Sequence, residues 1–427
     1  MKFLAIDTSR ADVRTEFIAG MSTFLAMLYI VPVNAAIMSQ AGMPFDALIT
    51  ATALMTIIAT IGNGLWANTP VAMSVGMGLN AYFTFGLVKG KGIPWQTGLG
   101  IVFLSGILYI IISITPLRRW MIETIPMDLK RAVSAGIGAF IAFIGLKQMG
   151  LIVRSDATFV TLGDLHNPEV LLGILSLVLA VIFMVRRVKA AFILAILITT
   201  ITAWLTGAAD LPRSFLSMPA PVTSIAMEMD VPSALSLSLF PVLLTFLVTD
   251  IFDTMGTLTG VGLRAHLFQE GHSVPLQKTI EADAAATFLS GIMGVTSTTS
   301  FIESAAGVEA GGRTGLTAIF TGLLFIFTIF MLPFFKAIPN AAIYPVLVVV
   351  GALMFSEISR IDFSDKATTL AAFFMIMMMP LSYSITNGLM IGSLVFVAAH
   401  LAQGTPGKIE KAVWIFAATG VLLLFIL

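Results

Sequence analysis

The chain has 427 residues, 58% of them hydrophobic and 11% charged, with a mean hydropathy of +0.99. A soluble domain carries about a quarter charged residues, so the composition excludes a water-soluble globule and indicates a polytopic membrane protein. The 23 basic and 23 acidic residues cancel, which points to no nucleic-acid partner, and the lack of cysteine excludes disulfides, thiolate metal sites and cysteine nucleophiles.

The apolar runs last about 16–25 residues instead of alternating over about ten, which predicts helices and not a barrel. The opening MKFLAIDTSRADVRTEF is too polar for a cleavable signal, so none is expected. In chain order the runs fall near 17–38, 46–66, 70–88, 97–115, 131–150, 169–185 and 190–207. A second set follows near 237–262, 279–296, 300–312, 314–335, 341–356, 367–384 and 385–401, with a last short one at 412–427. The connectors 151–168 and 208–236 are polar and bear Pro and Asp; the second is the expected division between halves. The reading is an all-α membrane protein of fourteen transmembrane segments.

Charge sets the expected orientation. With Lys2, Arg10 and Arg14 inside, alternate loops carry Arg118, Arg119, Lys130 and Arg131, then Arg186, Arg187 and Lys189, then Arg264 and Lys278, Arg313, and finally Arg360 and Lys366. The opposite loops hold Asp156, Asp164, Glu169, Asp210, Glu228 and Asp230. The opposite loops hold few basic residues, with Lys89 and Lys91 the exception to this positive-inside pattern, which puts the N-terminus in the cytoplasm of a multi-pass protein of the cell inner (plasma) membrane.

Seven spans is an odd number, so two successive sets of seven have opposite topology, the arithmetic of an inverted repeat. The repeats are expected at about 17–207 and 237–427 within a single transporter unit, 1–427. ANTPVAMSVGMGLNAYF (67–83) and TSTTSFIESAAGVEAGG (296–312) occupy matching places. Both open with a Thr/Ser/Asn/Pro cluster and are rich in small residues. Pro70, Gly76 and Gly78 in one, with Gly307, Gly311 and Gly312 in the other, predict chain that runs extended and then helical. Irregular backbone at membrane depth survives only where protein buries it or it lines a cavity, so this pair marks the expected binding site.

Acids stand in the same region. Asp250 and Asp253 in TDIFDTMGTLTG share one helix face, Glu303 and Glu309 lie in the interrupted tenth segment, and Asn80 lies in its third-segment counterpart. A charge at the bilayer centre costs at least about 2.5–3.5 kcal/mol, which favours a function over a mere structural pairing for Asp250 and Glu303. Glu309 has a plainer explanation in an i,i+4 ion pair with Arg313. His166, His266, His272 and His400 show no metal-ligand spacing, so neither metal nor cofactor is expected. The 24 Met residues, MIMMMP at 375–380 among them, suit core packing. GVGLRAHL lacks a preceding strand and a phosphate-loop lysine, which excludes a nucleotide loop.

FIAGMSTFLAMLYIVPVNAAIM, ANTPVAMSVGMGLNAYFTFG, DIFDTMGTLTGV and FIESAAGVEAGGRTGLTAIFTGLLF together closely resemble the AzgA-like purine permeases, a branch of the nucleobase–cation symporters. The resemblance runs from about residue 10 to 405. It implies fourteen segments in two inverted sevens, with a core domain at about 17–115 and 237–335 and a gate domain at about 131–207 and 341–427. It further implies short strands opening the third and tenth segments and pairing near mid-membrane, and a homodimer. By similarity Asp250 and Glu303 bind the purine, with Asn80, Gly78 and Asp253 the other functional positions. Phe83, Phe301, Thr254 and Ser304 complete the candidate substrate contacts, and Asp250, Asp253 and Glu303 are the candidate proton carriers.

A carboxylate accepts parallel N–H donors from a planar base. Guanine and hypoxanthine offer N1–H whereas adenine has an acceptor there, so 6-oxopurines are the expected cargo and adenine the alternative. The expected coupling ion is a proton; sodium is the rival. A channel would need repeated polar rings, an enzyme a nucleophile–base pair or metal, and an anion carrier of the same plan a neutral or basic site. Only one compact polar cluster is present, the sequence holds no nucleophile–base pair or metal site, and Asp250 and Glu303 argue against the anion carrier.

Overall fold

The structure is a computed structural model that describes residues 12–115, 125–265 and 273–426. Lys2, Arg10, Arg118, Arg119, His266 and His272 lie outside the described residues, as does the side chain of Arg264.

The first apolar run is two helices, α1 (Val13–Met27) and α2 (Ile30–Ser39). Pro32 has no N–H to give Leu28 and its ring collides with that carbonyl, so the chain breaks at Leu28–Tyr29. Helix α3 (Phe45–Ala67) ends at Asn68, whose φ of 53° is the left-handed geometry that Asn adopts more readily than most residues. Strand β1 (Met73–Val75) follows, then α4 (Met77–Ala81), which widens into a π-helical stretch, Tyr82–Lys89. No residue pattern in this stretch foretells that widening. Next come α5 (Trp95–Ile114) and α6 (Met127–Gln148). The polar connector at 151–168 holds an antiparallel hairpin of β2 (Ile152–Ser155) and β3 (Phe159–Leu162). Helices α7 (Pro168–Val185), capped by Asn167 with Pro at its first position, and α8 (Ala191–Leu205) close this half.

After the short α9 (Val231–Ala234), the second half runs α10 (Phe240–Ala265), α11 (Ser273–Met293), β4 (Thr298–Ser300) and α12 (Ser304–Glu309). It continues with α13 (Gly315–Ile329), α14 (Leu332–Lys336), α15 (Asn340–Phe355), α16 (Lys366–Leu381), α17 (Ile385–Ala402) and α18 (Lys411–Ile426). Among the described residues eight helical stretches are long and apolar enough to cross a membrane, and four shorter apolar helices accompany them. The protein is therefore a helical polytopic membrane protein.

Helix α13 packs on α3 and α1, and α11 packs on α5 and α3, with α10 against α5 and α12. In the other set α6 packs on α15 and α16, α16 on α17, and α7 on α8 and α15. Strands β1 and β4, 225 positions apart in sequence, pair antiparallel with Met73 opposite Ser300, Ser74 opposite Thr299 and Val75 opposite Thr298. Gly76 N–H donates to Ser297 O at 2.8 Å and Phe301 N–H to Ala72 O at 2.9 Å, extending the ladder at both ends.

Candidate functional site

A two-stranded sheet buried in a membrane protein leaves each outer edge with unpaired N–H and C=O groups and no water to satisfy them. Helix α3 covers one edge with polar side chains spaced i, i+4, i+7. The Thr60 hydroxyl accepts from Met73 N–H at 3.0 Å and donates to Met73 O at 2.8 Å. Thr56 Oγ1 lies 2.6 Å from Ser74 Oγ, and Asn63 donates to Val71 O at 2.7 Å. Helix α11 treats the other edge in the same way with Asp283, Thr287 and Ser290. Thr287 donates to Thr298 O at 2.8 Å, and Ser290 Oγ lies 2.6 Å from Thr298 Oγ1. Both helices face the strands with hydroxyls because a hydroxyl can donate and accept at once.

Three of the acids are built onto this frame. Asp250, only 1% exposed, sits on α10 and accepts from Thr287 Oγ1 through Oδ2 at 2.7 Å; its Oδ1 is buried with no hydrogen-bond partner. Asp283 is wholly buried on α11. Its Oδ2 accepts from Thr254 at 2.5 Å and Tyr109 at 3.2 Å, and its Oδ1 from Ser300 at 3.4 Å. Thr254 also lies 2.9 Å from Thr299, so α10, α11, α5 and β4 meet in one polar network. Asp250 and Asp283 are close enough for each charge to act on the other. Glu303 immediately precedes α12 and is half-buried, and its Oε1 accepts from Tyr29 at 2.6 Å. Asp253, half-buried one position before Thr254, is close enough to feel the charge of Glu303. None of the four acids has an ion pair among the described residues.

Asn80, wholly buried, donates to Asn34 Oδ1 at 2.8 Å, and Asn34 donates to Thr52 at 2.7 Å, while Asn80 Oδ1 is left without a partner. Gly78 faces α6: a Cβ there would lie 2.8 Å from Ile137 Cγ2, so the missing side chain is what lets the two helix sets approach. Phe83 lays its ring over Gly98 of α5, and Ser304 Oγ accepts from Ala72 N–H at 2.9 Å. Phe301 is buried beside the strand end. The structure thus places Asp250 and Thr254 in the polar network along β4, with Asp253 and Glu303 near each other, whereas Gly78 and Phe83 are packed against neighbouring helices and Ser304 ends the strand in this conformation.

Arg313 donates from Nη1 to the carbonyls of Val308 (2.6 Å) and Gly312 (2.7 Å). The carboxylate that receives the start of α13 is Glu16: its Oε1 accepts from Arg313 N–H at 3.1 Å and Thr314 N–H at 3.2 Å, and Thr317 donates to Oε2. A buried acid at a helix N-terminus meets both free N–H groups and the positive end of the dipole.

Asp283 and Tyr29 escaped the sequence reading. A signal for Asp283 exists in EADAAATFLS, where 283, 287 and 290 form the polar stripe described above. Tyr29 carries none. No group of three or more His, Cys, Asp or Glu that could hold a metal ion occurs among the described residues.

Residues 14–391 match the Permease family. The guanine/hypoxanthine permease PbuO of Bacillus subtilis (strain 168) is 38% identical over 98% of this chain and 98% of its own. The adenine permease AdeP of Escherichia coli (strain K12) is 38% identical over 97% and 92%. The guanine/hypoxanthine permease PbuG of Bacillus subtilis (strain 168) is 35% identical over 100% and 98%. Among solved structures, the transmembrane domain of the cyanobacterial bicarbonate transporter BicA superposes with a TM-score of 0.62 at 15% identity, covering 91% of this chain and 95% of that one. The murine anion transporter Slc26a9 gives a TM-score of 0.61 at 11% identity, over 91% and 68%. At such identities the likeness establishes the fold alone. With a match over most of its length and relatives above one-third identity from end to end, the chain belongs to the Permease family and is a transporter, not an enzyme.

Proposed function

We propose that the protein imports purine nucleobases, 6-oxopurines ahead of adenine, across the cell inner membrane in symport with a proton. The observation that carries this reading is the convergence of Asp250, Asp253, Asp283 and Glu303 on the paired strands. A planar base with N–H donors on its rim suits carboxylates presented from two elements, and such charge-assisted bonds are strong. The relatives named for guanine/hypoxanthine support the same class of cargo.

Four carboxylates without a cation partner among the described residues carry more negative charge than a low-dielectric site tolerates at once. A proton that enters with the base offsets part of it. Sodium is the rival ion. Asp250 through its free Oδ1, Asp253 and Glu303 are the proposed proton carriers, with Asp283 sharing charge with Asp250.

In this reading fourteen segments form two inverted repeats, about 17–207 and 237–427, with the N-terminus cytoplasmic. The repeated i, i+4, i+7 polar stripe on α3 and α11 supports that symmetry. The core, about 17–115 and 237–335, carries the base and moves against the gate, about 131–207 and 341–427, for alternating access, and the gate joins two copies into a homodimer. Asn80, Gly78, Phe83, Phe301, Thr254 and Ser304 complete the proposed substrate shell.

Adenine transport is the second reading. A protonated carboxyl at Asp250 would donate to adenine N1, and AdeP is as similar in sequence as PbuO. Uptake of radiolabelled hypoxanthine, guanine and adenine by purine-transport-deficient cells separates the two, with wild type beside Asp250→Asn. Wild-type uptake of hypoxanthine and guanine that the Asn change abolishes is the expected result. Adenine uptake alone, or full activity in Asp250→Asn, overturns the assignment. In proteoliposomes, uptake that needs sodium and ignores an imposed pH gradient removes the proton.

A further inference from the structure

Tyr29 stands at the break between α1 and α2, a place that Pro32 creates by preventing one continuous helix. It is 1% exposed, and it touches two things of different character. Its hydroxyl donates to Glu303 Oε1 at 2.6 Å, the short length of an O–H bond to a charged acceptor. Its ring meets Phe192 edge-on, centroids 4.8 Å apart and planes at 62°. Phe192 lies in the first turn of α8, and α8 packs mainly on α7 and α15, with a smaller contact to α1. A single side chain therefore connects a site carboxylate to a helix of the other packing set.

Oε1 already holds one donor, and this has a chemical consequence. A carboxylate with both oxygens open takes two adjacent N–H donors side by side, as guanine presents with N1–H and its 2-amino group. Each carboxylate oxygen has two lone pairs, so Oε1 with Tyr29 on one of them takes a second donor less strongly and with less freedom of direction than the open Oε2, which favours a single donor on that edge, as hypoxanthine presents with N1–H. We propose that Tyr29 is a specificity-determining positioning residue, which orients Glu303 by holding Oε1 and so biases the site toward nucleobases with a single donor on the N1 edge over those with two adjacent donors there. Its aromatic seat on Phe192 keeps the ring in place, so that the hydroxyl is presented at a fixed angle.

The inference rests on the proposed function, and the test keeps the two separable. Initial rates of [3H]hypoxanthine and [3H]guanine uptake are measured in intact cells for wild type, Tyr29→Phe and Phe192→Leu, with membrane abundance checked by immunoblot. Tyr29→Phe keeps the ring and the Phe192 contact and removes only the hydroxyl. Loss of one hydrogen bond to a charged group should raise KM for hypoxanthine about tenfold with Vmax little changed. KM for guanine should rise far less, so the guanine-to-hypoxanthine preference moves about fivefold toward guanine. Phe192→Leu should move the same ratio in the same direction by a smaller factor.

A purely structural Tyr29 would lower Vmax or abundance and change both KM values by the same factor; that result overturns the proposal. Unchanged KM for both bases in Tyr29→Phe overturns it equally. Failure of the wild-type protein to take up either base would instead overturn the proposed function.

Discussion

The two helix sets differ in what they bury. Around β1 and β4, helices α1, α3, α10 and α11 enclose Glu16, Asp250 and Asp283 together with Asn34, Asn63, Asn80 and a dense population of Thr and Ser. Around α6, α15, α16 and α17, no Asp or Glu is fully buried among the described residues, and close approach is made by glycine against methionine. A Cβ on Gly136 would lie 2.6 Å from Met379 Sδ, and Gly388 and Gly392 face Met379 and Met375. The difference follows from backbone. Strands and broken helices within a membrane need side-chain partners for their N–H and C=O groups, whereas continuous helices satisfy their own. Polar chemistry is thus concentrated where the backbone is irregular, and the other set offers an apolar, tightly packed counterface.

The contrast can be broken most severely at Asp283. It accepts three hydroxyl donors, and in Asp283→Asn the amide nitrogen must replace one acceptor oxygen with a donor, setting donor against donor. Uptake should fall by about a hundredfold, read as initial rate of hypoxanthine entry at matched membrane abundance. Activity near wild type would remove Asp283 from the working site and leave it a structural clamp of β4.

The seam between the sets gives a smaller effect with a sharper reading. Gly78→Ala pushes a methyl to within 2.8 Å of Ile137 Cγ2, so the two sets should bind against each other and Vmax should fall about fivefold at nearly constant KM. Ile137→Ala in the same chain makes room and should restore most of the rate. A rise in KM that Ile137→Ala does not relieve would mean that Gly78 acts through the substrate shell and not through the seam. The least effect is expected within the apolar counterface: Met379→Leu conserves volume, should cost less than about 1.5 kcal/mol in detergent thermal unfolding, and should leave uptake unchanged. A large loss of transport there would mean that methionine adaptability is used during the cycle.

Much of the site was legible before any fold was known. Asp250, Asp253 and Glu303 stood out because charge is rare and costly in apolar runs. Asp283 is wholly buried but hid in EADAAATFLS, where an acid near small polar residues resembles a span's wet end. Spacing sets Glu309 beside Arg313 on one turn, while the carboxylate bound to the start of α13 comes from Glu16, 297 residues away from Arg313. Spacing reports neighbours on one helix and is silent on what another helix brings.

Composition and run length by themselves determined a helical polytopic membrane protein, because about 20 apolar residues are what a bilayer requires of a helix. Pro and Gly in two short segments foretold irregular chain there, since those residues restrict or free the backbone locally. Only the tertiary structure decided the register of Met73–Val75 on Thr298–Ser300, the hydroxyl edges that cover it, and the meeting of Tyr29, Glu303 and Phe192. Those depend on groups hundreds of residues apart finding complementary donors and acceptors, and no local pattern encodes the partner.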